Sequence, residues 1–209
     1  MVSFLTRLFQ RAPKDQWLVY SVDTEGEAKF FLEALQRLEH SHTLQRKDDM
    51  REVLEASKAP FIYVGYGDSK GVFRTRGYDF GYKEWFCSIE SLGDFPHHPS
   101  IWFANRTAEW LKADPEGKWF GFSNPIGIQF RSKAERSWWA KALYRMWSAI
   151  LLAGLGHRPR SHIKAEMRSL CKEILRRYQS NGSKYSYFSV IAMQNFAKSA
   201  TFGDAFGTD

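Results

Sequence analysis

The sequence predicts an α+β protein: a mostly antiparallel sheet with early helices, followed by a long C-terminal helical hairpin. Three observations carry that reading. Short apolar runs bounded by turn residues fill the first 130 positions. At Ser132 the apolar period changes to that of long helices. The charge balance changes at the same place: residues 1–130 hold 16 Lys+Arg against 18 Asp+Glu, and residues 131–209 hold 14 against 5.

The elements follow in order. Residues 17–22 (WLVYSV) read as a strand. Thr24 and Glu27 form a T-x-x-E capping box before a helix through Phe30, Phe31, Ala34, Leu35 and Leu38. Residues 48–57 suit a second, shorter helix. Residues 61–66 are strand-like, 68–71 are a turn signal, and 72–76 would return antiparallel. Further strands are expected at 84–90 and 101–104, and a short helix at 107–112 ends before Pro115. Residues 119–122 and 126–130 are expected to close a hairpin over Ser123, Asn124 and Pro125.

Ser132 and Glu135 make a second capping box. The helix after it carries adjacent rows, Trp138/Ala142/Met146/Ile150 and Trp139/Leu143/Trp147/Leu151, so its apolar face is wide. Gly154, Gly156 and Pro159 end it. Ser161 is placed to cap the next helix, whose period runs through Ile163, Met167, Leu170, Cys171, Ile174 and Tyr178 up to Asn181-Gly182. Residues 187–197 suit a final short helix. We read residues 1–209 as a single domain. Any subdivision falls near Arg131, between a sheet-containing part (1–130) and a basic helical part (131–199), with 200–209 as a flexible tail.

Composition narrows the classes. With 44% hydrophobic and 16% aromatic residues, the chain is built to fold around a core and not to stay disordered. Only two cysteines, Cys87 and Cys171, indicate a reducing, cytoplasmic setting. The longest apolar run, residues 149–155, falls far short of the ~20 residues of a membrane span. Residues 1–11 are amphipathic, with Phe4, Leu5, Leu8 and Phe9 beside Arg7 and Arg11. A weak peripheral membrane contact through them is a secondary expectation, behind a short helix docked on the protein.

The most informative feature is a basic stripe. Lys164, Arg168, Lys172 and Arg176 recur every four residues, and at 100° per residue they share one arc away from the apolar face. Arg158 and Arg160 precede them. Glu166 and Glu173 lie outside the arc. Like charges at this spacing cost about 0.2–0.5 kcal/mol per pair in helix stability, a cost that a phosphate backbone would offset. Lys141 and Arg145 on the preceding helix extend the basic surface. The expected partner is therefore nucleic acid, DNA or RNA, bound without catalysis. A regulatory or inhibitory protein that binds an acidic protein partner is the alternative.

Three other fragments carry chemistry. The run RGYDFGY, residues 76–82, resembles part of the first ribonucleoprotein motif of RNA-recognition domains through Arg76, Gly77, Tyr78 and Phe80. It departs from that motif at Asp79, Gly81 and Lys83. Tyr78, Phe80 and Tyr82 would share a strand face, where exposed rings could stack on bases. VDTEG, residues 22–26, resembles the opening motif of the DEDD exonucleases. That resemblance implies a metal-dependent nuclease in which Asp23 and Glu25 share the metal ions; the rest of that family's pattern does not follow. Asp114 with Glu116 and Lys118 resembles the D…E-x-K of restriction-like nucleases, within a Pro/Gly turn that suits a surface loop. His97 and His98 lack metal-ligand spacing to Cys87. No P-loop, dinucleotide fingerprint or G-x-S-x-G occurs, and no cofactor is expected.

Overall fold

A computed structural model describes residues 17–21, 26–38, 41–43, 59–73, 85–94 and 98–208. The strands are β1 (Trp17–Ser21), β2 (Ser41–Thr43), β3 (Phe61–Val64), β4 (Gly71–Phe73), β5 (Trp85–Ser88), β6 (Ser100–Phe103), β7 (Trp119–Phe122) and β8 (Ala200–Phe202). The helices are α1 (Gly26–Leu35), α2 (Thr107–Leu111), α3 (Lys133–Gly154), α4 (Ser161–Ser180) and α5 (Tyr187–Ser199).

Six strands form one mixed sheet in the order β2-β1-β3-β6-β7-β8. The expectation of a mostly antiparallel sheet is corrected here. The first five strands are mutually parallel, and only β8 runs antiparallel, against β7. The reason lies in the strands' surroundings. β1, β3 and β7 are buried at every position, as parallel strands covered on both faces are.

Alternate residues of each strand feed two cores. Trp17, Val19, Ile62, Val64, Ile101, Phe103, Phe120 and Phe122 face the helical layer of α1, α3 and α5. Phe103 is the meeting point, with ring centroids 4.5 Å from both Phe31 of α1 and Trp147 of α3, and 5.8 Å from Phe196 of α5. Leu18, Tyr20, Phe61, Tyr63, Trp102 and Trp119 face the other way, onto α2 and the two-stranded β4–β5 sheet. Phe86 of β5 centres that layer, 4.9 Å from Tyr20, 5.3 Å from Tyr63 and 5.8 Å from Phe61. Gly121 is needed where α2 crosses β7, because a Cβ there would stand 2.6 Å from the Thr107 hydroxyl. That hydroxyl donates to the Trp102 carbonyl and accepts the Phe122 N–H.

Two local expectations differ from the structure. Residues 126–130 do not return as a strand beside β7. They run irregularly past the end of β6, where the Asn105 side chain accepts the Ile126 N–H at 2.7 Å. The place beside β7 is taken by β8, formed by residues expected to fray. Phe206 is fully buried, the Gly203 N–H bonds to the Trp119 carbonyl, and the Thr208 carbonyl accepts from the Arg160 N–H. The return after the turn at 68–71 also changes partner. Gly67 and Val72 form an antiparallel bridge, but β4 pairs with β5 outside the main sheet.

The C-terminal helices form where the periodicity placed them. Ser132 accepts the Glu135 N–H at 3.0 Å, as the capping box requires. α4 enters differently: its first residue is Ser161, and the residue before it, Arg160, is already right-handed and makes no side-chain cap. α4 packs on α3 and α5.

Candidate nucleic-acid interface

α4 buries Ile163, Met167, Leu170 and Ile174 against its neighbours. The cations at 164, 168, 172 and 176 span an arc of about 120° whose centre lies about 150° from that apolar face, and about 18 Å along the axis. All four side chains are exposed. The side chains of Arg168, Lys172 and Arg176, and of Arg158 in the interhelical loop, make no hydrogen bond or ion pair with another described residue. Arg160 and Lys164 are partly engaged at the amino end. Their charged groups lie 5.4 and 5.0 Å from the centre of the Phe202 ring, and the Arg160 guanidinium donates to the Asp204 carbonyl.

The acids of α4 are turned inward. The Arg145 guanidinium donates to Glu166 at 2.5 Å and to Glu173 at 2.9 Å. Glu173 also accepts from the Trp138 indole at 2.9 Å and from Arg177 at 3.0 Å. Burial raises the Glu173 pKa, but bonds from Arg177, Trp138 and Arg145 outweigh it and hold the carboxyl below the ordinary glutamate range. These contacts remove the acids from the outer face and tie α4 to α3. They also commit Arg145 to the helix–helix contact. Arg145→Gln is accordingly expected to cost about 1 kcal/mol or less, as half-exposed ion pairs do, and to leave polyanion affinity unchanged. A denaturant melt and a binding titration of that variant check both statements. Lys141, one turn before Arg145, is exposed.

The carboxyl edge of the parallel sheet is the second place where chemistry could gather. Strand order reverses at β1, between β2 and β3, and in open α/β sheets the crevice beside such a reversal receives ligands. Asp23 and Glu25 follow β1 in sequence but lie outside the described residues, as do Tyr78, Phe80 and Tyr82, residues 1–11 and the helix expected at 48–57. Asn105 and Arg106 lie at this edge after β6, and no sequence motif marks them. Among the described residues Arg106 is the one non-glycine in the left-handed region, at φ 57°, and Glu109 holds its guanidinium by two bonds of 2.7 and 3.0 Å. A strained arginine leaves no mark in composition or periodicity.

The 114–118 fragment forms the turn before β7. The Asp114 carbonyl accepts from the Trp119 indole, and the side chains of Glu116 and Lys118 are exposed in the turn. Cys171 is half-buried, its thiol pKa raised by burial. Among the described residues no three His, Cys, Asp or Glu side chains gather as a metal site, and no helix is long and apolar enough to cross a membrane.

Compared with family models, with curated proteins and with solved structures, the chain matches none.

Proposed function

We propose that this protein binds nucleic acid, without catalysis, through the outer face of α4. Arg158, Arg160, Lys164, Arg168, Lys172 and Arg176 are the phosphate contacts in this reading, with Lys141 at the margin. One observation supports it most: both acids of α4 are bonded to Arg145 of α3, Glu173 also to Arg177, while the side chains of the cations at 168, 172 and 176 face outward without an acid partner among the described residues. A helix face that only keeps a protein solvated pairs its charges along the surface at i,i+4; on α4 one such pair forms, Glu173 with Arg177, and it lies off the stripe.

Salt dependence tests the proposal. Neutralising four to six phosphates of duplex DNA gives a slope of about −4 to −5 in log K against log salt concentration. Titrating labelled duplex across a salt series is expected to give a slope in that range. A slope near zero would remove phosphate contact from the account.

A further inference from the structure

A second basic region lies on the other flank of α3, in a groove against α1. Its wider end has a volume of about 660 Å³, floored by Phe30, Ile128 and Phe130 and edged by Lys29, Arg131 and Arg136. It continues as a narrower cleft of about 270 Å³ that adds Arg37 and Lys133. The wider end is the size of small-molecule sites, which run roughly 300–1,000 Å³.

The charge inside is one-sided. Among the described residues that line it, five cations meet a single acid, Glu33, and none of the five forms an ion pair with a described residue. They come from separate segments, α1 and the turn after it, the 126–131 crossing and the first turn of α3, so folding has gathered them. The floor is aromatic. Phe30 and Phe130 lie 5.2 Å apart, and the Arg136 guanidinium stands 5.8 and 5.5 Å from their centres. Around α3, Arg136 and Ala140 face this groove whereas Trp138 and Arg145 face α4, so the groove is separate from the stripe.

We infer that this groove is a binding site for a nucleoside triphosphate. The phosphates would lie among Lys29, Arg131, Lys133 and Arg136, and the planar base would rest on the half-buried Phe130, beside Phe30. Multiple phosphates answer the excess of cations, and a flat apolar ring answers the floor. Neither inorganic phosphate chains nor a free nucleoside satisfies both.

Isothermal titration of the full chain with ATP, adenosine and tripolyphosphate tests this. ATP is expected to bind, with adenosine and tripolyphosphate each weaker by about tenfold or more, the scale of one lost charged or stacking contact. Arg136→Gln should weaken ATP by a similar factor. Because Arg136 also packs on the floor, the double variant Lys29→Glu/Lys133→Glu, which stacks on neither ring, should weaken it as well. The stripe variant Arg168→Glu/Lys172→Glu should bind ATP like the parent, which separates this site from the proposed nucleic-acid face. No ATP binding at millimolar concentration, tripolyphosphate binding as tight as ATP, or unchanged affinity in Lys29→Glu/Lys133→Glu would each overturn the inference.

Discussion

Trp147→Ala is expected to destabilise the protein by about 3–5 kcal/mol, the cost of emptying a large buried aromatic site. Trp147 is fully buried in the middle of α3 and packs at 4.5 Å on Phe103, the ring on which α1, α3 and α5 converge over the sheet. Its loss leaves a cavity between two layers that cannot collapse without moving α3 off β6. For a chain of this length that corresponds to a fall in Tm of about 6–20 °C. Trp147→Phe should cost less. The indole N–H is buried and has no hydrogen-bond partner among the described residues, so the smaller ring also removes a donor that those residues leave unsatisfied. Thermal melts of both variants check the ranking. Equal losses would mean that the phenyl ring does not fill the space the indole leaves.

Glu135→Gln should be nearly as damaging, and its effect should depend on pH. The Glu135 carboxylate is buried and accepts four hydrogen bonds: from the Arg131 and Ser186 N–H groups at 2.6 and 2.9 Å, and from the Ser186 and Ser189 hydroxyls at 2.6 and 2.5 Å. It thereby fastens the start of α3 to the start of α5. Burial raises its pKa, but the Ser186 and Ser189 hydroxyls and the two backbone donors outweigh burial and lower it. The amide keeps the shape but replaces one acceptor with a donor and removes the charge that strengthens the others. The expected cost near neutral pH is about 2–4 kcal/mol, set by charge-assisted bonds of roughly 1.5–3 kcal/mol and by the donors left unpaired. A carboxyl with a lowered native pKa contributes stability that is fully present above its unfolded value of about 4.3 and is lost as pH falls through the native value. The difference between parent and variant should stay constant from pH 7 to about 5 and shrink below about 4.3. Measuring the difference cancels the parallel contribution of Glu173. A gap that widens as pH falls from 7 towards 4.3 would show that Glu135 is not ionised in the native state.

The helical half of the fold was legible because its signals are local. Ser132 with Glu135, the double row of tryptophans and leucines, and the Gly154–Pro159 stop each lie within a few residues, and α3, α4 and α5 follow them. The sheet was harder because pairing is not local. WLVYS and WFGF are continuous apolar runs, and that continuity, rather than alternation, is the mark of strands buried on both faces. The hairpin signal of Asn124-Pro125 is outweighed by Asn105, whose side chain captures the N–H of Ile126, 21 positions further on. The tail was misjudged for a similar reason. Phe202 and Phe206 are only two aromatics among small residues, yet they fill places against Lys164 and Phe120 that no local pattern announces.

The stripe itself could be read from the i,i+4 spacing, and so could the segregation of Glu166 and Glu173. What the acids do could not be read, because their partner Arg145 is 21 and 28 residues away on another helix. The groove between α1 and α3 was invisible for the same reason. Lys29 and Arg136 stand 107 positions apart in the sequence, and only the fold brings them to one opening.

Fluorescence anisotropy with labelled single-stranded DNA, duplex DNA and RNA, comparing the parent with Arg168→Glu/Lys172→Glu at low and moderate salt, tests the central claim most directly. The parent is expected to bind at least one of the polymers and to release it as salt rises. The variant, melting at the parent's temperature, is expected to bind at least about tenfold more weakly, since two contacts become repulsive. A folded variant that binds like the parent, or a parent that binds none of the three at low salt, would contradict the claim and turn the α4 face toward an acidic protein partner.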